Sequence, residues 1–244
     1  MSTVVAYSWA RDAAGALVRS DGAVDWRGTR MSAGEDDHAA VAVALGLAQA
    51  RGQELVGVTI GNGDASWALA RGVARTVCVP DAPALDDEAA TAAVLAAAVR
   101  TLPEADVVVV GDAEQYPLVA AALAGLLGWP AVLGAVSAVA GADGIEAVRR
   151  VGDAEEVLTV APPVVLGVRA EAAEARAPGM KELLAARKRP VERHELAELG
   201  VTLPAAPTEL GTRVPDHRGA QMFSGEAGDA ARALVAALRA AGVA

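Results

Sequence analysis

Glu54–Ile60, ELVGVTI, runs directly into Gly61-Asn62-Gly63-Asp64 and then into Ala65–Arg71, ASWALAR. The first seven residues, rich in β-branched side chains, predict a strand, the two glycines a turn and the last seven a helix. Upstream, Thr3–Tyr7 (TVVAY) predicts a first strand, and SAGEDDHAAVAVALGLAQARG (32–52) a helix. Glu35, Asp36 and Asp37 suit that helix's positive end, and Gly52 closes it. Downstream come the strand Thr76–Val79, a helix over Asp86–Leu102 opened by Asp86, Asp87 and Glu88, the strand Val107–Val110 and the helix Leu118–Leu127. Strands alternating with helices mean crossover units. The expected fold is α/β, a mainly parallel, doubly wound, Rossmann-like sheet of the adenine-nucleotide-binding type.

The pattern changes at both flanks. Ala16–Arg19 and Val24–Arg27, separated by Ser20-Asp21-Gly22-Ala23, predict a hairpin. After Pro130 the runs Val132–Ala140, Ile145–Val151, Glu155–Val160 and Val164–Val168 read as short strands, and helix returns near Lys181–Lys188. Thr202–Gln221 holds three prolines and no periodicity, so it predicts an extended arm. Ala227–Ala241 is amphipathic, with Leu234, Val235 and Leu238 on one face. The expected division is a core domain over 1–200 and an arm with a C-terminal helix over 201–244.

Composition narrows the partners. The net charge of -10 argues against nucleic acid and against an anionic membrane surface. No apolar stretch is long enough to span a bilayer, Val94–Val99 and Leu118–Leu127 being too short. The opening MSTVVAYSWARD lacks a basic start followed by a long apolar run, so the expected location is cytoplasmic. Aromatics make up only 3% of the chain, so Ala, Val and Leu must build the interior. Cys78 is the only cysteine and reads as a small core residue.

Chemistry-bearing motifs are sparse. His38, His194 and His217 are scattered, and no metal site is expected. There is no Gly-x-Ser-x-Gly, no phosphate loop and no Gly-x-Gly-x-x-Gly after the first strand. Glu35–Asp37 and Asp86–Glu88 are explained by helix dipoles, and Glu155-Glu156 by opposite faces of a strand. No catalytic set emerges. In a parallel sheet, ligands sit beyond the carboxyl ends of the strands, which makes Tyr7–Trp9, Gly61–Asp64 and Gly111–Tyr116 the candidate lining.

Several stretches, taken in order, resemble the beta subunit of electron transfer flavoproteins. They are GEDDHAAVAVAL (34–45), ELVGVTIGNGDASWALARGVARTVCV (54–79) and ADVVVVGDAEQYPLVAAALAGLLGWPAV (105–132). The most specific is ARAPGMKELLAARKRPVERHELAELGV (175–201), and FSGEAGDAARALVAALRAAGV (223–243) is similar to the family's last turn and helix. The resemblance covers essentially the whole chain. It implies a heterodimer with an alpha subunit that holds most of a FAD, and electron transfer from a dehydrogenase to a downstream acceptor. Beta subunits usually hold an AMP, or in bifurcating members a second FAD. The positions matching the family's cofactor contacts are Ala6, Tyr7, Ser8, Gly34, Glu35, Asp37, Gly61, Asn62, Gly111, Asp112, Gln115, Tyr116, Val119 and Glu155, the last toward the flavin domain. Met180, Lys181, Leu183 and Leu184 match the loop that anchors the dehydrogenase, although Met180 also fits as a first-turn core residue.

Two departures bear on the AMP. The family's loop usually reads Asp-Gly-Asp-Ser/Thr-Gly-Gln-Val, whose hydroxyl and amides meet phosphate. Here Glu114-Gln115-Tyr116-Pro117-Leu118-Val119 stand in a shorter loop, and Pro117 brings no amide donor. Tyr7-Ser8-Trp9 replace a basic residue after the first strand. The expectation is an altered or absent nucleotide, with Tyr116 or Trp9 filling part of its space. The competing readings are a homodimeric nucleotide-binding regulatory module and a stand-alone adenylating ligase, the latter disfavoured by the missing phosphate grip.

Overall fold

The computed structural model describes residues 1–61, 63–82, 87–112, 116–206, 208, 210–211, 214 and 219–243. By its internal contacts the chain divides into two units, Met1–Leu17 with Asp25–Leu210, and Val18–Val24 with Gly211–Ala244.

The chain starts with β1 (Ser2–Ala6), buried along its whole length. Then β2 (Ala10–Arg11), β3 (Leu17–Val18), β4 (Val24–Asp25) and β5 (Met31–Ser32) form two short pairs, β2 with β5 and β3 with β4. The Asp21 carboxylate accepts from the Ala23 amide at 3.0 Å and Gly22 has φ 85°, as an Asp-Gly hairpin turn requires. After α1 (Glu35–Ala50), β6 (Glu54–Ile60) and α2 (Ala65–Leu69) come β7 (Arg75–Val79), α3 (Glu88–Arg100), β8 (Ala105–Gly111) and α4 (Val119–Leu127). Aspartates open two of these helices. Asp64 accepts from the Ser66 amide and Asp87 from the Ala90 amide, each at 2.9 Å, so each satisfies an otherwise unpaired helix-start donor. Gly63 is forced by its surroundings, since a Cβ there would lie 2.2 Å from the Thr59 hydroxyl oxygen.

Three strands then make an antiparallel meander, β9 (Ala131–Gly141), β10 (Gly144–Val151) and β11 (Ala154–Val160). The next strand, β12 (Val164–Val168), returns to the centre of the sheet. It lies parallel between β8 and β9, pairing Leu166 with Val109 and with Val132, and every residue is buried. The core unit ends with α5 (Met180–Ala186), a two-residue edge strand β13 (Glu192–Arg193) beside β7, and α6 (Leu196–Leu199). The nine-stranded sheet has the order β11-β10-β9-β12-β8-β1-β6-β7-β13, and all pairings outside the meander are parallel. The expected doubly wound α/β fold is the one observed.

Alternation along the strands divides the core. Val5, Val107, Val109 and Leu166 face one side, where they meet Val41, Ala44 and Leu47 of α1 and Trp67 and Ala68 of α2. Val4, Ala6, Val108 and Val110 face the other, under Leu95 and Val99 of α3 and Leu123 of α4. Small aliphatic side chains therefore let helices pack on both faces. In the second unit, the described residues of Gly211–Ala244 form one helix, α7 (Ala227–Ala240), none of whose residues is buried.

Candidate functional site

The chain runs from β1 through α1 to β6 on one side, while β8 lies on the other side of β1. The loops leaving β1 and β8 therefore diverge, and a crevice opens at their carboxyl ends, the usual ligand position in such a sheet. Two cavities meet there and share Ser8, Gly34 and Tyr116.

A buried carboxylate, that of Asp37, lines the smaller one. Asp37 Oδ2 accepts the Ser8 hydroxyl at 2.5 Å, the Ser8 amide at 2.9 Å and the Gly34 amide at 2.9 Å. The Ser8 hydroxyl in turn accepts the Gly34 amide at 3.2 Å, so the loop after β1 is tied to the first turn of α1. Burial pushes the Asp37 carboxyl up to about 6, although these hydrogen bonds pull it down. Gly111 lets α1 approach β8, because a Cβ there would lie 2.9 Å from Asp37 Oδ1 and 3.0 Å from the Asp36 backbone.

The larger cavity is a polar cleft of about 520 Å³. Its acids are Asp12, Glu35, Asp36, Asp112 and Glu171, and its bases Arg11 and Arg169. Asp112 accepts the Gly134 amide at 2.6 Å and donates its own amide to the Val168 carbonyl, which fixes the β8 and β12 ends together. Burial raises the Asp36 carboxyl, opposed by the Ala170 amide and, more weakly, by Arg169, while Glu35 and Asp112 add to the rise. The smaller cavity, about 50 Å³, is mostly apolar and is lined by Ile60, Leu95, Val110, Val119 and Tyr116, with Thr91 and Asp37 among its polar groups.

The crevice brings together Ala6, Tyr7, Ser8, Gly34, Glu35, Asp37, Gly111, Asp112, Tyr116 and Val119 from the positions expected in the sequence. Asn62 and Gln115 lie outside the described residues. Gly61 makes the turn after β6 with φ 62° and lines neither cavity. Glu155 is exposed beside the β10–β11 turn, paired with Arg150 at 3.4 Å, and also lines neither. Tyr7 is largely held inside, its ring 5.1 Å from that of Trp67 and its hydroxyl donating to the Asp64 carbonyl at 3.3 Å. Trp9 stacks toward Trp67 at 6.4 Å instead of filling either cavity, which leaves that part to Tyr116. Trp67 also carries the Arg71 guanidinium at 4.4 Å and the edge of His38.

Thr91, Leu95 and Arg169–Glu171 are lining residues that sequence reasoning missed. Arg169 follows Val164–Val168 directly, and a run as apolar as Val107–Val110 signals a buried strand, whose carboxyl end is where ligands sit.

Beside α2, α5 presents Met180 at 72% and Leu184 at 51% exposure, one helical turn apart, which rules out a core role for Met180. Lys181 is exposed as well, whereas Leu183 packs against the core. Glu182 holds this helix start, accepting the Gly179 amide at 2.7 Å and the Arg176 guanidinium at 2.7 Å. Among the described residues no helix is long and apolar enough to cross a membrane.

No curated protein matches the chain. The family described as the electron transfer flavoprotein domain matches residues 25–199, a span that runs from β4 to the end of α6 and takes in α1, the crevice and α5. With a doubly wound sheet, a crevice at its switch point and well over half its length matched, this chain belongs to the electron transfer flavoprotein domain family.

Proposed function

We propose that this chain is the beta-type subunit of a heterodimeric electron transfer flavoprotein, supporting a FAD held mainly by an alpha subunit and passing electrons from a dehydrogenase to a downstream acceptor. The observation that carries the reading is the character of the 520 Å³ cleft. Pockets for whole ligands span roughly 300–1,000 Å³, so this cleft has room for part of a dinucleotide. Among the described residues, five acids against two arginines make it a poor place for a pyrophosphate and a suitable wall for a neutral ring system. The phosphates therefore belong with the other subunit. Ser8, Ser32, Tyr116 and Arg169 are among the polar side chains on this wall that would face the ring. When bound, the flavin supplies the electron-accepting chemistry, and the protein supplies position and electrostatics.

The exposed Met180, Lys181 and Leu184 support docking of the dehydrogenase on α5, where a flexible thioether adapts to an apolar pocket. The uncovered α7 supports a role for the C-terminal segment in embracing the alpha subunit. Co-expression with the candidate alpha subunit tests the assignment. The expected product is a yellow heterodimer with one FAD, together with a colourless chain when this subunit is made alone. A lone chain that retains stoichiometric FAD, or a colourless homodimer indifferent to that partner, overturns it.

A further inference from the structure

We propose that the recess between α2 and the end of α5 binds a phosphate group, at a site separate from the crevice. The proposal does not depend on the assignment above.

The recess has a volume of about 260 Å³ and lies within the sheet unit, at the carboxyl ends of β6 and β7. None of its described lining residues lines either crevice cavity. Its charged groups, among the described residues, are Arg187, Arg189, Arg193 and Asp64. Lys188 stands between the first two in the chain but does not line the recess, so the fold selects from the basic run instead of exposing all of it.

The fold also fixes where these arginines stand. Arg189 donates to the Val73 carbonyl at 3.1 Å and to the Ala74 carbonyl, which anchors its guanidinium beside the entry to β7. Arg193 lies opposite Cys78 in the β13–β7 register. Burial raises the Cys78 thiol, and the Arg193 charge opposes that rise. Its neighbour Glu192 instead meets Arg75 at 3.1 Å and His194 at 2.9 Å, as alternation along a strand requires. Arg187 caps the end of α5.

This charge goes unanswered within the chain. Carboxylates are in excess, 31 acidic residues against 21 lysines and arginines. Yet among the described residues neither Arg187 nor Arg193 has an ion pair or a side-chain hydrogen bond. Asp64 uses its Oδ1 to accept the amide and the hydroxyl of Ser66, at 2.9 and 2.6 Å. Three guanidiniums against one carboxylate leave two positive charges that repel each other until an anion arrives. A phosphate group carries close to two negative charges at neutral pH and matches the guanidinium fork, whereas a single carboxylate brings half that charge. Pockets for whole ligands begin near 300 Å³, so this recess suits a phosphate with a small remainder.

Thermal unfolding of the full-length chain in inorganic phosphate, and in chloride at the same pH and ionic strength, tests the site. At about 10 mM, phosphate should raise Tm saturably by about 2–4 °C, which corresponds to a Kd near 1 mM. Arg187→Ala combined with Arg193→Ala should unfold within about 2 °C of wild type in chloride, since neither side chain has a partner to lose, and should not respond to phosphate. Glycerol 3-phosphate separates the sources. An equal or larger rise marks the phosphate end of a small molecule, and a rise with inorganic phosphate alone marks the free ion. Equilibrium dialysis of the wild-type chain against labelled phosphate should find about one site per chain. If the double variant unfolds early in chloride, Arg193→Gln alone decides, with an expected loss of about tenfold in phosphate affinity. The proposal is overturned by the absence of a saturable rise with either probe, by dialysis that finds no site, or by full phosphate affinity in the variants.

Discussion

Asp37 and Gly111, which line the same small cavity, serve each other. The glycine makes room for the start of α1, and the carboxylate ties that start to the loop after β1. Which group a glycine makes room for depends on a contact 74 positions away, Asp37 to Gly111, and no local pattern carries that information. Gly111→Ala should therefore destabilise the protein by about 1–3 kcal/mol, the usual cost of forcing a methyl into a filled space. Urea unfolding measures this, and an unchanged midpoint would show that α1 shifts freely. Asp37 also predicts a pH dependence. Its folded value of about 6 lies above the ordinary 3.8, so its favourable contribution is complete below pH about 4 and is lost as pH rises through about 6. The gap corresponds to roughly 3 kcal/mol at most. Asp37→Asn keeps an acceptor for the Ser8 and Gly34 amides and cannot ionise. Its stability relative to wild type should rise between pH 4 and 7, and parallel pH profiles would refute the assigned shift.

At the scale of elements, strands and helices with clear periodicity or a β-branched run were readable to within a few residues. Glu54–Ile60 and Val164–Val168 coincide with β6 and β12, while the helix expected from Asp86 begins at Glu88, with Asp87 as its cap. The two-residue strands β2 and β13 were not readable, because two paired residues leave no pattern to detect. Nor was the place of β12 between β8 and β9, since a buried run looks the same at any interior position. Helix α5 yields the functional prediction at this scale, because its two kinds of leucine separate docking from folding. Met180 and Leu184 point outward, so Met180→Ala should change stability by less than about 0.5 kcal/mol yet slow electron transfer from the dehydrogenase. Leu183 packs on the core, and Leu183→Ala should cost about 1–2 kcal/mol. Stopped-flow flavin reduction and urea melts on both variants give the comparison. Equal transfer rates for Met180→Ala and wild type would remove this helix from the docking surface.

For the whole molecule, the sheet unit buries its apolar residues on both faces, but α7 buries none of its fourteen. An isolated helix of that length is marginal in water, since nucleation is costly and propagation adds little per residue. Leu234, Val235 and Leu238 nevertheless form a stripe at helical spacing, exposed by 45%, 42% and 38%. A stripe of this kind gains by being covered, and covering three such side chains is worth on the order of a few kcal/mol. If the alpha subunit provides that cover, the helix should gain order in the heterodimer and fray in the lone chain. Leu234→Glu combined with Leu238→Glu should then weaken association by at least tenfold while leaving the unfolding midpoint of the sheet unit unchanged. Size exclusion with detection at the flavin absorbance reads the first effect, because a dissociated chain elutes colourless, and urea unfolding of the lone variant reads the second. Undiminished association would place the heterodimer contact elsewhere. A fall in the lone chain's own unfolding midpoint would show instead that α7 stabilises the chain that carries it.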